Sequence, residues 1–239
     1  MNWSEIIAAL INAVGVIVAA IIGIGLINQV IRRNFTARMY SYSDKGKDLR
    51  KIIRGATHDI YIVANCGNNL FRNYEEFFCC LIKKGININI LILDEPGYLI
   101  MDNYTVKGVF NNIPDYEALL NALTSLRNMQ SIGNENLHIR TFPSIFTASY
   151  IGVDLDIDPL SSKYRKSSVL QIMFYQYRVS AKDSPSFCIT PKSNSTHFNR
   201  TVASIFDMWD DGIEQPNIQD NLTQLMNLDK GSKTKSLKS

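Results

Sequence analysis

The chain has 239 residues, of which 46% are apolar, 20% are charged and four are cysteines. This length fits one domain of ordinary size with an appendage, and the composition excludes a disordered chain, a collagen-like chain and a disulfide-dense secreted scaffold. The net charge of +3 is unevenly distributed, because residues 32–54 carry eight Lys/Arg against two Asp and residues 229–239 carry four Lys against one Asp. The part between them is mildly acidic, and we expect it to bind no nucleic acid.

Residues 6–31 contain no charged side chain, which predicts a transmembrane helix, because about 20 apolar residues cross the hydrocarbon core of a bilayer. A cleaved signal peptide is disfavoured, since the start MNWSE lacks Lys and Arg and the apolar run is long. A buried core helix is the other alternative, but a core helix of this length without a polar face is unusual. We therefore interpret residues 1–31 as a transmembrane anchor.

Basic residues follow this span and none precedes it, which predicts the orientation of the protein. The positive-inside rule places the N-terminus outside and the following domain in the cytoplasm, so we expect a single-pass protein of the inner or plasma membrane. Residues 32–54 then form a basic juxtamembrane connector. The residues expected to contact the lipid bilayer are Trp3, Arg32, Arg33 and Arg38.

Small residues recur along the predicted span at a spacing of four, which places Gly15, Ala19 and Gly23 on one face of a helix. Such a face lets two helix backbones approach closely, so we expect helix packing there and a homo-oligomer. The alternative is that small residues are simply common in transmembrane helices.

Residues 55–212 alternate between strand and helix patterns and predict an α/β domain with a mixed sheet and helices on both faces. The predicted strands cover residues 59–65, 87–94, 137–142, 148–156, 168–179 and 186–190. The predicted helices cover residues 69–85, 114–131 and 196–209. Residues 39–55 predict an amphipathic helix or a partly ordered connector, and residues 213–239 predict a polar, partly disordered tail.

The order of these elements, over roughly residues 50–212, resembles half of a phospholipase D-like domain. The segments that carry the resemblance are DIYIVAN (59–65), a helix that ends in KKG (83–85), NINILILDEPG (87–97), LHIRTFPSIFTASYIGVDLD (137–156), SVLQIMFYQYRV (168–179) and the closing helix with FDMWDDG (206–212). The resemblance implies the fold of that family, and halves of this kind are often paired.

Active members of the family need a histidine, a lysine two residues later and an aspartate five residues further on. The histidine attacks phosphorus and the lysine stabilises the phosphate charge. None of the three histidines, His58, His138 and His197, has this context. The segment where the motif would fall has Ser149 and Ile151 instead. The resemblance therefore implies the fold without the hydrolase, and we assign no catalytic residue.

Ligands of open α/β sheets bind outside the carboxyl ends of the strands, so polar residues that follow predicted strands are candidates for a binding site. These residues are Asn65, Asn68, Asp94, Lys192, Ser193 and His197. The polar run before the last helix can hold an anion on free backbone N–H groups, although ordinary helix capping is the alternative. For the asparagines the alternative is turn formation. A small anionic molecule or a protein is the expected partner.

No metal or cofactor is expected from the sequence. Cys79 and Cys80 are adjacent and the other cysteines are isolated, whereas zinc sites use pairs two to four residues apart. Alternating aspartates at 154, 156 and 158 resemble part of a calcium loop, but the glycine and the closing glutamate of such a loop are missing. We expect a solvated turn there. P-loop and GxGxxG motifs are also absent.

These features favour a non-catalytic module that senses a ligand or a protein partner and is held on a membrane by one helix. A bacterial defence or signalling effector is one version of this hypothesis. The alternatives are a membrane-bound phosphodiester-processing enzyme with an altered active site and a structural assembly subunit.

Overall fold

The computed structural model describes residues 38–40, 49–94, 97, 116–133, 135–158, 163–175, 184–192, 195–215, 217 and 218. Its strands are β1 (Arg38–Tyr40), β2 (Asp59–Ala64), β3 (Asn87–Leu93), β4 (Leu137–Phe142), β5 (Ala148–Val153), β6 (Ile157–Asp158), β7 (Lys163–Tyr164), β8 (Val169–Phe174), β9 (Ser186–Ile189) and β10 (Ile213–Glu214). Its helices are α1 (49–54), α2 (Asn68–Lys83), α3 (Tyr116–Gln130) and α4 (Ser195–Asp210).

Eight strands form one mixed sheet in the order β1-β9-β8-β5-β2-β3-β4-β10, while β6 and β7 pair separately. β2, β3 and β4 are parallel, and every other pairing is antiparallel. We call the end of the sheet where β2, β3 and β4 begin the amino end, and the opposite end the carboxyl end. Strands β5 and β9 run against β2, so their last residues lie at the amino end.

Helices cover both faces of the sheet, and the strands explain why. In β2 the side chains alternate, so that Ile60 and Ile62 belong to one buried cluster and Val63 belongs to a second. The first cluster includes buried apolar residues of α1, α2 and α3, and the second includes Phe198, Val202 and Ile205 of α4. Strands in the middle of such a sheet read as continuous apolar runs because both faces are buried. The predicted mixed α/β domain with helices on both faces is confirmed.

Helix α2 is bounded by two glycines with positive φ. Gly67 precedes the helix with φ 71°, and a Cβ atom there would lie 2.4 Å from a ring carbon of Phe71. Gly85 follows it with φ 79°, as expected for a glycine that ends a helix. The predicted helix boundary at Gly85 is therefore confirmed within two residues.

Two predicted strands are longer than the observed ones. β5 ends at Val153 because Asp154 has φ 50°, a left-handed conformation outside the β region. β8 ends at Phe174, and residues 176–179 of its predicted extent lie outside the described residues.

The folded unit also extends into the predicted connector and tail. β1 pairs with β9, and the α1 residues Leu49 and Ile53 are buried in the first cluster. Residues 49–54 are helical as predicted, whereas Met39 and Tyr40 lie in a strand rather than in that helix. At the other terminus β10 pairs with β4, and Ile218 is fully buried.

The predicted span, residues 1–31, lies outside the described residues, together with Trp3, Gly15, Ala19, Gly23, Arg32 and Arg33. Among the helices that the structure does describe, none has the length and apolar character needed to cross a membrane.

Candidate functional site

The carboxylate of Asp154 lies at the amino end of the sheet and ties β5 to the segment that leads into β2. Its Oδ1 accepts hydrogen bonds from the backbone N–H groups of Thr57, at 3.0 Å, and His58, at 2.8 Å. Its Oδ2 accepts hydrogen bonds from the hydroxyls of Thr57, at 2.8 Å, and Ser167. Burial acts to raise the pKa of Asp154, but these hydrogen bonds outweigh it and lower the pKa. The predicted solvated turn is therefore wrong at Asp154, which is fully buried.

Asp59 lies beside Asp154 in a different electrostatic state. Its side chain is only 3% exposed, its Oδ1 accepts the Leu155 N–H at 3.0 Å, and its Oδ2 has no hydrogen-bond partner. Burial, together with the nearby negative charge of Asp156, raises the pKa of Asp59 to about 7. The hydrogen bonds to Asp154 thus favour its ionised form, whereas Asp59 takes up a proton near neutral pH.

At the carboxyl end, Asn65 fastens the loop between β4 and β5. Its Nδ2 donates to the carbonyl of Phe146 at 3.1 Å, and its Oδ1 accepts the Phe146 N–H at 2.9 Å. Phe146 in turn stacks on Phe142 with ring centroids 5.3 Å apart. The Asn65 side chain therefore binds the protein's own backbone through both ends of its amide.

Two other predicted residues lie at the same end. The Oδ1 of Asp94 accepts the Gly97 N–H at 2.9 Å, which closes a local turn after β3. Asn68 is the first residue of α2, and its Oδ1 is buried without a hydrogen-bond partner. Asn65, Asn68 and Asp94 therefore lie at one end of the sheet, but the side chains of Asn65 and Asp94 bind the protein's own backbone.

A tyrosine completes the carboxyl end. The Tyr175 N–H donates to the Thr147 carbonyl at 3.1 Å, which places Tyr175 beside the start of β5. Its hydroxyl forms hydrogen bonds with the Ser149 side chain and the Asn65 backbone, and burial raises its pKa. The start of β5 thus presents hydroxyl groups, with Thr147 exposed and Ser149 partly buried.

Lys192 and His197 lie at the other end of the sheet. Ile189, the last residue of β9, pairs with Leu170 in β8. Leu170 pairs in turn with Gly152 of β5, and Gly152 pairs with Tyr61, near the start of β2. Lys192 comes three residues after Ile189, so it lies at the amino end, about the length of a six-residue strand away from Asn65. The single predicted site is therefore split between two ends, and Ser193 lies outside the described residues.

All three histidines of the chain lie away from the start of β5. His58 directly precedes β2, His138 is the second residue of β4, and His197 is in the first turn of α4. The first two are at the amino end by their position in parallel strands, and His197 follows β9 at that end. No imidazole is thus close to Thr147 or Ser149.

Within the described residues, no group of three or more His, Cys, Asp or Glu could hold a metal ion. All four cysteines lie in the described part of the chain, and no disulfide joins any of them. The neighbours Cys79 and Cys80 differ in environment, since the first is buried and the second is exposed. Adjacent residues on a helix point in different directions, so they do not form a chelating pair.

Sequence reasoning missed three residues of these two ends, Asp59, Asp154 and Tyr175. Asp59 stands directly before an apolar run, where a charged residue reads as the polar boundary of a strand. Asp154 belongs to an acidic run that resembles a surface turn. Only its spacing from Ser149, five residues, offered a signal. Tyr175 lies inside a strand-like run, and no pattern separates it from core aromatics.

No protein-family model matches the chain, and a search of curated proteins finds no similar sequence. Solved structures do align with the chain. The archaeal chromatin protein TrmBL2, described with a novel mode of DNA binding, aligns with a TM-score of 0.45, 9% identity, 89% of this chain and 67% of its own. Nuc from Salmonella typhimurium, a phospholipase D family member, aligns with a TM-score of 0.42, 14% identity, 71% of this chain and 90% of its own. Phosphatidylserine synthase from Haemophilus influenzae aligns with a TM-score of 0.48, 10% identity and 80% of this chain, which spans 43% of that enzyme.

Proposed function

We propose that this chain is a degenerate phospholipase D-like domain that binds a ligand or protein partner without cleaving it. The proposal includes a single-pass anchor at residues 1–31 that holds the domain on the cytoplasmic side of a membrane. The observation that carries it is the start of β5, where hydroxyl side chains stand in the place that the family gives to its nucleophile and its cation.

The spacing of the family motif supports this assignment. Its aspartate follows the lysine by five residues, and Asp154 is the buried, hydrogen-bonded aspartate at the end of β5. With Asp154 in that place, the lysine position falls on Ser149 and the histidine position on Thr147. These positions are two residues earlier than the pair Ser149 and Ile151 expected from the sequence. In this alignment only the aspartate position carries the family's residue, and that residue, Asp154, stabilises the fold.

The chemistry of cleavage is unsupported at these positions. Attack on a phosphodiester needs an activated nucleophile and a cation near the phosphate oxygens. The Thr147 hydroxyl has no imidazole close to it, and the Ser149 hydroxyl is engaged by Tyr175. Cys66 is another nucleophile at this end, but it is only 5% exposed. A binding role therefore fits the start of β5 better than the alternative of an altered phosphodiester enzyme.

Hydrolysis of bis(p-nitrophenyl) phosphate tests this proposal directly. We expect the full chain in detergent to release no p-nitrophenol above a Ser149→Ala control. The double variant Thr147→His/Ser149→Lys rebuilds the motif in front of Asp154, and general acid–base groups typically contribute at least about 100-fold, so it should exceed the wild type by at least tenfold.

Wild-type hydrolysis that disappears in Ser149→Ala or Tyr175→Phe would overturn the non-catalytic proposal in favour of the enzyme. If neither the wild type nor the double variant hydrolyses the substrate, the wild type is still non-catalytic. That result would, however, show that Thr147 and Ser149 are not placed as the family's histidine and lysine are.

Native mass spectrometry of the full chain, extracted from its host membrane, distinguishes a sensing module from an assembly subunit. A sensing module should carry a co-purified small molecule or a second protein in stoichiometric amount. Copies of this chain alone, at every protein concentration tested, would instead favour the structural subunit.

The membrane anchor makes a separate prediction. Because residues 32–54 are basic and no Lys or Arg precedes the span, a reporter fused after Ser239 should be active only as a cytoplasmic enzyme. The full chain should also stay in the membrane pellet after extraction with alkaline carbonate. An active external reporter would contradict the orientation, and release by carbonate would contradict the anchor.

A further inference from the structure

Exposed charges are sorted between the two ends of the sheet. Among the described residues, the exposed cations at the amino end include Arg54, Lys83, Lys84, Arg127, Lys163, Lys166 and Lys192. The exposed carboxylates with described side chains at that end are Asp156 and Glu135, so cations are in excess. We call Arg54, Lys163, Lys166 and Lys192 the basic surface.

The topology gathers this basic surface from distant parts of the sequence. Lys163 and Lys166 belong to the connection between β5 and β8, which is fixed at the amino end by the Ser167 hydroxyl on Asp154. Arg54 ends α1, three residues before Thr57, which also donates hydrogen bonds to Asp154. The Asp154 carboxylate is buried beneath this surface and already accepts hydrogen bonds. It therefore does not neutralise the exposed cations of the basic surface.

The opposite charge is found elsewhere on the domain. The exposed carboxylates Asp207, Asp210, Asp211 and Glu214 lie along the end of α4 and in β10. β10 pairs with Thr141 and Arg140, in the half of β4 nearest the carboxyl end. The exposed charges of the described residues are therefore polarised, and an anionic plane would orient the domain with the basic surface facing that plane.

The direction of β1 shows which end of the sheet the preceding chain approaches. β1 is antiparallel to β9 and hence runs from the amino end towards the carboxyl end. The residues before Arg38 therefore arrive from the side of the basic surface. Only residues 32–37 separate β1 from the end of the proposed span at Ile31, and this stretch reaches at most about 24 Å when fully extended.

We propose that the basic surface docks on anionic phospholipid headgroups of the membrane that carries the anchor. This inference rests on the proposed function, because the span supplies the membrane. Each lysine near an anionic bilayer contributes about fivefold to binding, and charge of this density is weakened by salt. A nucleic acid offers the same phosphate chemistry, but the short connection to an apolar span favours the lipid surface.

Photocrosslinking of the full chain in vesicles tests the docking. Lys166→Bpa, with the photocrosslinking residue p-benzoylphenylalanine, reports on the basic surface. Arg72→Bpa is the matched control, since Arg72 is an exposed cation in the first turns of α2 at the carboxyl end. We expect lipid adducts at position 166 in phosphatidylcholine vesicles that contain about one quarter phosphatidylglycerol, and at least tenfold fewer without it or in high salt. Position 72 should form few adducts in either vesicle.

A charge-reversal series separates this surface from the anchor. In the chain with Bpa at position 166, Arg54→Glu/Lys163→Glu/Lys192→Glu should remove the lipid adducts, whereas Arg72→Glu should leave them unchanged. Equal adducts at positions 72 and 166, or adducts at 166 that do not need phosphatidylglycerol, would overturn the docking. Retention of the chain in the carbonate pellet tests the membrane anchor independently of the basic surface. If carbonate releases the chain, its flotation with vesicles still tests lipid binding by the basic surface. Binding of duplex DNA that the three reversals abolish, without lipid adducts, would assign the surface to nucleic acid instead.

Discussion

Asp154→Ala should lower the free energy of unfolding by about 3–5 kcal/mol, because it breaks a buried, charge-assisted hydrogen-bond cluster and leaves its donors unpaired. The donors are the N–H groups of Thr57 and His58 and the hydroxyls of Thr57 and Ser167, which join three segments distant in sequence. The φ of 50° at Asp154 adds to the cost, since alanine tolerates that conformation less well than aspartate or asparagine. Urea unfolding of the full chain at neutral pH, with the cooperative transition of this domain followed by circular dichroism, measures the change.

Asp154→Asn is the matched control. Its amide oxygen can still accept the two backbone N–H groups, and the hydroxyls of Thr57 and Ser167 can rotate to accept from its amide nitrogen. We expect a cost of about 1–2 kcal/mol, roughly the difference between charged and neutral hydrogen bonds. Equal costs for the alanine and asparagine variants would contradict the view that hydrogen bonding, rather than the local charge, makes Asp154 important.

The pH dependence has a definite sign. The pKa of Asp154 is lowered in the folded protein, so its stabilisation is fully present above the unfolded value of about 3.9. It is lost as the pH falls through the lowered folded pKa. The asparagine variant should therefore lose less stability than the wild type on acidification below about pH 4.

The sequence was most informative where side-chain period and burial agree. LHIRTF alternates buried and partly buried residues, and β4 has the predicted bounds of 137–142. NINILIL reads as one apolar run because β3 lies between parallel neighbours with both faces covered. Edge strands give no such signal. β1 and β10, of three and two residues, are held by the backbone of the neighbouring strand, which no pattern in their own side chains reveals.

The candidate site was predicted incompletely for a topological reason. Grouping Lys192 and His197 with Asn65 assumed that the strands before them end on the same side of the sheet. This holds for β2 and β3, which are parallel, but β9 runs in the opposite direction. Strand direction depends on which neighbours pair, and hydrophobic periodicity does not encode it. The two buried aspartates were missed for a related reason, since only the folded chain brings residues 57–59 to residues 154–155.

Asp59→Asn should stabilise the protein above neutral pH, in contrast to most substitutions of buried polar residues. In the wild type the Oδ1 of Asp59 accepts the Leu155 N–H, and its Oδ2 is buried without a partner. Asparagine keeps the acceptor and places an amide nitrogen, which is neutral, where the unpartnered oxygen lies. At about pH 8, where the wild-type carboxyl is ionised, we expect a gain of about 2–4 kcal/mol in the free energy of unfolding.

The sign follows from proton binding. The pKa of Asp59 is about 7 in the folded protein, because of burial and the nearby Asp156, and about 3.9 in the unfolded chain. Between these values the folded state holds a proton that the unfolded state has released. Stability therefore falls as pH rises from about 4 to about 7, by up to about 1.4 kcal/mol per pH unit.

Urea unfolding midpoints across this window separate the two aspartates. Asp59→Asn should remove the decline between about pH 4 and pH 7, and its advantage over the wild type should vanish near pH 4. Asp154→Asn should keep a decline in this window, ending at a lower pH, because the Asp154 charge is one of the smaller causes that raise the pKa of Asp59. A wild-type stability that is flat across the window, or an Asp59→Asn variant less stable than the wild type at about pH 8, would show that Asp59 is ionised at little cost in the folded protein.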